Sequence, residues 1–120
     1  MDLSNKWFEL VENSDGHASA KTIMKFSEHA EPFLATYTGP NTMYGQVIVR
    51  TSKNGLTEML YQSLTTDNEL VAGRAQVTLS ENESGKLVMQ LNWQWLTGSL
   101  KSGISIWHEV NNSEMQKVRK

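Results

Sequence analysis

Between Leu70 and Trp95 apolar side chains fall on every second residue in two successive runs, a pattern that an antiparallel hairpin accommodates and a helix does not. Leu87, Met89, Leu91, Trp93 and Trp95 alternate with polar Gln90, Asn92 and Gln94. Upstream, Val71, Gly73, Ala75, Val77 and Leu79 alternate with Arg74, Gln76 and Thr78. The polar cluster Ser80–Gly85 between them suits a hairpin turn. Placing Leu79 opposite Leu87 sets Ala75 against Leu91 and Gly73 against Trp93, small against large. A two-residue shift keeps the same faces, whereas a one-residue slip would bury Arg74 and Gln76. The core expected from this hairpin is Val71, Ala75, Val77, Leu87, Met89, Leu91, Trp93 and Trp95.

Shorter runs of the same kind fill the remainder. Phe33–Thr38, Tyr44–Thr51 and Leu56–Leu64 read as strands, separated by Gly39-Pro40-Asn41 and Ser52-Lys53-Asn54-Gly55. Asn54-Gly55 as a two-residue loop would pair Arg50 with Met59 and Ile48 with Tyr61. Val47, Val49, Glu58, Leu60, Gln62 and Leu64 would then share the more apolar, inward face. Tyr44, Ile48, Met59 and Tyr61 would lie outside. Ile104–Val110 is the last strand, and both of its faces are open: one turns Ile104, Ile106 and His108 inward, the other Ser105, Trp107 and Glu109. Near the start, Trp7–Val11 and Lys21–Ser27 read as strands, although Leu3, Trp7, Leu10 and Val11 also fit a short N-terminal helix behind Ser4. The expectation is one all-β domain over residues 1–110, an up-and-down antiparallel meander of about eight strands closed into a barrel, with a polar tail at 111–120.

A net charge of −2 gives no electrostatic case for nucleic acid, and no apolar run approaches a membrane span. Without cysteine there is neither disulfide nor thiolate chemistry. No leader is legible at Met1-Asp2-Leu3, so the cytoplasm is the expected compartment. His17, His29 and His108 lack a metal-ligand spacing, and no P-loop, dinucleotide fingerprint or nucleophile elbow occurs, so neither metal nor cofactor is expected.

The run Leu91-Asn92-Trp93-Gln94-Trp95-Leu96-Thr97-Gly98-Ser99 resembles an avidin strand that feeds a tryptophan to its pocket, and the strand pattern as a whole is similar to the avidin–lipocalin group of small barrels. The resemblance implies a barrel that holds one small ligand. Other avidin motifs do not map onto the chain, so it carries over neither binding residues nor specificity for biotin.

The candidate ligand-binding residues follow from the strands. Trp93, Trp95 and Trp107 fall on adjacent strands and would line one end of a barrel, as walls of a pocket for an apolar or aromatic ligand or as a filled core. Ser105 joins them if its strand takes the polar register. Glu58 and Gln62, on the expected inward face, would be interior polar groups in need of partners. Three functional classes remain: a non-enzymatic small-molecule binder, a barrel enzyme of isomerase or cyclase type with a pocket acid–base group, and a filled-core interaction module. No catalytic residue is singled out. The apolar outer face points to a homodimer.

Overall fold

The computed structural model describes residues 2–14, 21–98 and 100–111. It contains eight antiparallel strands: β1 (Trp7–Asn13), β2 (Ile23–Phe26), β3 (Phe33–Gly39), β4 (Thr42–Thr51), β5 (Thr57–Thr65), β6 (Leu70–Glu81), β7 (Leu87–Trp95) and β8 (Ser102–Val110). Each pairs with the next, and β8 returns to pair with β1, so the sheet closes into a barrel without an edge. The N-terminal segment is strand, and no helix occurs among the described residues. The tail expected at 111–120 lies, beyond Asn111, outside the described residues.

Three hairpins share one loop design. In Ser52–Leu56, Thr65–Glu69 and Asn82–Lys86 the first and last residues pair, leaving three residues in the loop. The last of these three is left-handed in every case: Gly55 (φ 88°), Asn68 (φ 66°) and Gly85 (φ 78°). Its N–H donates to the carbonyl of the residue that precedes the loop, Ser52, Thr65 or Asn82, at 3.0 Å in all three. This is a type I turn followed by a left-handed residue. The first residue also closes the loop with its side chain: Ser52 Oγ, Thr65 Oγ1 and Asn82 Oδ1 accept from the N–H groups of Leu56, Glu69 and Lys86 at 3.2, 3.0 and 3.1 Å.

That loop corrects two expected registers. In β6–β7 the pairs are Leu79–Met89, Ala75–Trp93 and Gly73–Trp95, two residues from the expected alignment, so the faces are unchanged. Met89, Leu91, Trp93, Ala75 and Val77 are buried, while Val71, Leu87 and Trp95 are half-buried. In β4–β5 the shift is one residue. Asn54-Gly55 is not the whole loop but its second and third positions, so Arg50 meets Glu58, Ile48 meets Leu60 and Val47 meets Tyr61. The odd shift reverses the face of β5: Met59, Tyr61 and Ser63 turn inward, and Glu58, Leu60 and Gln62 outward. In β8, Ser105 and Trp107 are the inward pair.

The two ends of the barrel differ. At one end Leu3, Phe8, Phe26, Phe33, Val49 and Met89 pack solid, with Phe8 and Phe26 edge to face at 5.8 Å. Leu3 sits fully buried in this plug, held by a short N-terminal turn bonded to Ser27. Glu109 tightens the same end, accepting from the Leu87 N–H at 2.8 Å and pairing with Lys6 at 3.6 Å. The other end, where β1, β3, β5 and β7 finish, is less filled.

The left-handed loop residues give a direct test. Nothing lies within 4 Å of a Cβ built on Gly85, so Gly85→Ala should lose only conformational free energy, about 1 kcal/mol by urea unfolding. Gly85→Asn should recover most of it, since asparagine tolerates this region and already occupies it at position 68.

Candidate functional site

Three aromatic side chains near the open end stand directly across from glycines. Tyr37 faces Gly45, Tyr61 faces Gly73 and Trp93 faces Gly103 on neighbouring strands. A Cβ at any of these glycines would overlap the ring opposite, so each ring lies against backbone on the barrel wall. Rings drawn to the wall leave the middle of this end open. The result is an interior cavity of about 60 Å³ lined by these rings together with Trp95, Trp107, Leu10, Met24, Val47, Met59 and Leu91.

Polar groups reach the same space. A β-bulge at Leu10–Glu12 advances the phase of β1 by one residue. Glu12 thereby joins Val11 outside, and Asn13 rather than Glu12 faces Ser105. Asn13 Oδ1 accepts from Trp93 Nε1–H at 3.2 Å, and Ser105 Oγ from Trp107 Nε1–H at 3.1 Å. Tyr37, Ser63 and Thr42 complete the polar lining, with Ser63 placed to influence the Tyr37 hydroxyl. Trp93 and Trp95 are 6.1 Å apart between ring centroids, and Tyr61 meets Trp95 edge to face at 5.5 Å.

Of the six residues anticipated from sequence, the fold brings four to this cavity: Trp93, Trp95, Trp107 and Ser105. Glu58 and Gln62 are placed elsewhere. They lie on the outer wall because the loop before β5 is one residue longer than a two-residue Asn-Gly turn. There Glu58 takes both arginines of the neighbouring strands, Arg50 at 3.0 Å and Arg74 at 3.1 Å, and Gln62 donates to Gln46 at 3.0 Å. Met59 and Tyr61, expected outside, point in. Asn13, Tyr37, Thr42 and Ser63 had no local signal in sequence; only the bulge and the closure of the barrel bring them together.

The lining carries no carboxylate, imidazole or amine among the described residues, and His108 is exposed. Its titratable groups are two phenols. Burial pushes both Tyr37 and Tyr61 above the ordinary tyrosine value, partly offset at Tyr37 by the Ser63 hydrogen bond and reinforced at Tyr61 by the nearby Tyr37. Both are therefore neutral hydroxyls at physiological pH. No group of three or more potential metal ligands occurs among the described residues.

A family model for avidin-like proteins matches residues 1–110. The chain belongs to the avidin-like family. No curated protein and no solved structure matches it. Avidin-like membership and the closed eight-stranded barrel agree in making this a small-molecule-binding scaffold. A wider concavity of this avidin-like chain, about 780 Å³, lies outside, over Leu34, Ile48 and Leu60. It is an open trough on the sheet wall whose Gln46 and Gln62 amides already satisfy one another. The smaller interior space is lined by convergent rings and hydroxyls.

The buried phenols make stability fall in alkali. Their folded-state values lie above the ordinary value of 10.0, so the unfolded chain releases these protons first. Their contribution is fully present below pH 10.0 and is lost progressively as pH rises from there through the folded-state values. Thermal melting between pH 8 and 11 should show that loss, and Tyr61→Phe should make it shallower.

Proposed function

We propose that this avidin-like barrel is a non-enzymatic binder of a small, uncharged ligand at the open end of its interior. The observation that carries this reading is the lining itself: three tryptophans and two tyrosines around the neutral hydrogen-bonding groups of Asn13, Tyr37, Thr42, Ser63 and Ser105. Apolar rings supply contact area for a flat or apolar body, and the neutral groups orient it by hydrogen bonds. Among the described lining residues a charged group would find no countercharge, which disfavours ionic ligands. Among the described residues the lining has no acid–base pair, which favours binding over proton-transfer catalysis.

A ligand in this space would displace water from around the indoles. A panel of small amides, ureas and aromatic compounds, biotin included, should contain at least one member that shifts tryptophan emission saturably. Trp95→Ala and Trp107→Ala should weaken the effect. Ser63→Ala should weaken binding about fivefold, as expected for about 1 kcal/mol from one neutral hydrogen bond. Failure of every compound would leave the interior as packing only.

The outer wall supports self-association as a two-fold dimer. Leu34, Ile48 and Leu60 are direct cross-strand neighbours on β3, β4 and β5, flanked by the paired glutamines and by Tyr44. Ile48 and Leu60 are each about half exposed, which makes a continuous apolar row open to water. Sedimentation at micromolar concentration should give a dimer, and Ile48→Asp with Leu60→Asp should give a folded monomer. A wild-type monomer throughout that range would refute the dimer.

A further inference from the structure

Asparagine is followed by glycine once in the chain, at Asn54-Gly55, and the fold sets that pair at the exposed tip of the β4–β5 hairpin. Such a pair can react with itself. The asparagine side-chain amide is an electrophile, and the next backbone nitrogen is placed to close a five-membered ring on it. A side chain on the following residue crowds that nitrogen, and glycine has none. Nothing lies within 4 Å of a Cβ built on Gly55, so no neighbour shields it on that side. The two loops of the same design differ at this point. Asn68 is followed by Glu69, whose N–H is taken by Thr65 Oγ1 at 3.0 Å. Asn82 is followed by Glu83, and its Oδ1 accepts from the N–H groups of Ser84 and Lys86 at 2.9 and 3.1 Å.

The second observation is the position of Ser52. Its Oγ accepts from the Leu56 N–H at 3.2 Å and donates to Asn54 Oδ1. A donor on that oxygen draws electron density from Asn54 Cγ and stabilises the negative charge the oxygen gains when Cγ becomes tetrahedral. Gly55 N–H donates to the Ser52 carbonyl at 3.0 Å, and that bond must open before the nitrogen turns to Cγ. At an exposed tip it exchanges for a bond to water at small net cost. We propose that Asn54 is a site of spontaneous deamidation, activated by the Ser52 hydroxyl. The Gly55 nitrogen gives its proton to water and bonds to Asn54 Cγ; the Cγ–Nδ2 bond breaks, and the amide nitrogen leaves with a proton as ammonia. Water then opens the cyclic imide at either carbonyl, giving aspartyl or isoaspartyl at position 54. Both products add one negative charge to the tip. The isoaspartyl form also adds a carbon to the backbone of a loop closed by Ser52 N–H on the Leu56 carbonyl at 2.7 Å, the loop that sets which face of β5 turns inward.

Peptide mapping by mass spectrometry tests this on the full chain held in mildly alkaline buffer, with an isoaspartyl methyltransferase marking the isoaspartyl product. The amide-to-acid mass gain should appear in the peptide holding Asn54 and be absent from those holding Asn68 and Asn82 over the same period. Ser52→Ala should slow it about fivefold in the native protein, the factor that one neutral hydrogen bond supplies. In urea, where the loop is absent, Ser52→Ala and the wild type should react alike. Ser52→Thr, with the hydroxyl that Thr65 carries in the sister loop, should restore the native rate. The isoaspartyl protein should melt below the Asn54→Asp variant, which has the charge without the extra carbon. No gain at Asn54 in the native protein would overturn the proposal. So would a native Ser52→Ala rate equal to or above that of the wild type, which would make the hydroxyl a restraint on the amide rather than its activator.

Discussion

From β4 to β7 the side chains that face inward depend on one recurring backbone constraint, the left-handed residue that closes three hairpin loops. Side chains in a strand alternate between faces, so one residue more or fewer in a loop exchanges inside for outside along the following strand. Gly55, Asn68 and Gly85 supply that residue at the same place in each loop. Ser52, Thr65 and Asn82 lock the same loops from the other side with a side-chain acceptor. Every inward position from β4 to β7 is in phase because these loops agree. Val47, Tyr61, Gly73 and Trp95 thus form one inward row across four strands.

Within that phase, glycine decides where space is left. A barrel of eight strands has an interior that side chains just fill. Large aromatic residues opposite Gly45, Gly73 and Gly103 lean onto the wall instead of projecting to the centre. At the other end no such pairs occur, and Phe8, Phe26, Phe33 and Met89 meet in a solid plug. The same chain therefore makes a rigid base and a chamber from one continuous sheet. The chamber is neutral because its polar members are amides and hydroxyls, two of which receive indole N–H groups.

The outer wall follows a different logic. Its charged groups pair across strands, with Glu58 between Arg50 and Arg74, and their side chains are one-third to more than one-half exposed. Ion pairs this open contribute little to stability, about 0–1 kcal/mol each. Their consequence is in what they leave uncovered, the Leu34–Ile48–Leu60 row. Avidin-like membership gives the barrel its small-molecule-binding context.

Strict alternation from Val71 to Trp95 was enough to read two strands, their inward faces and two tryptophans of the chamber, Trp93 and Trp95, because burial of one face is a local periodic signal; the face of Trp107 stayed open until β8 was paired. A register error of two residues did no harm there, since it preserves parity. The Asn54-Gly55 loop shows the opposite case. Both a two-residue turn and a three-residue turn with glycine third are compatible with Ser-Lys-Asn-Gly, and the choice sends Glu58 and Gln62 outward and Met59 and Tyr61 inward. Packing against β6 decides it, by placing Met59 beside Ala75 inside and Glu58 beside Arg74 outside. The polar half of the chamber was illegible for the same reason. Asn13 enters through a bulge opposite β8, more than ninety residues away in the chain, and Tyr37 finds Ser63 only when β3, β4 and β5 lie side by side. Sequence alone determined an all-β chain with an aromatic interior, through the period of its side chains. Only the tertiary structure decided which polar groups share that interior, because bulges, loop phase and barrel closure are properties of strands in contact.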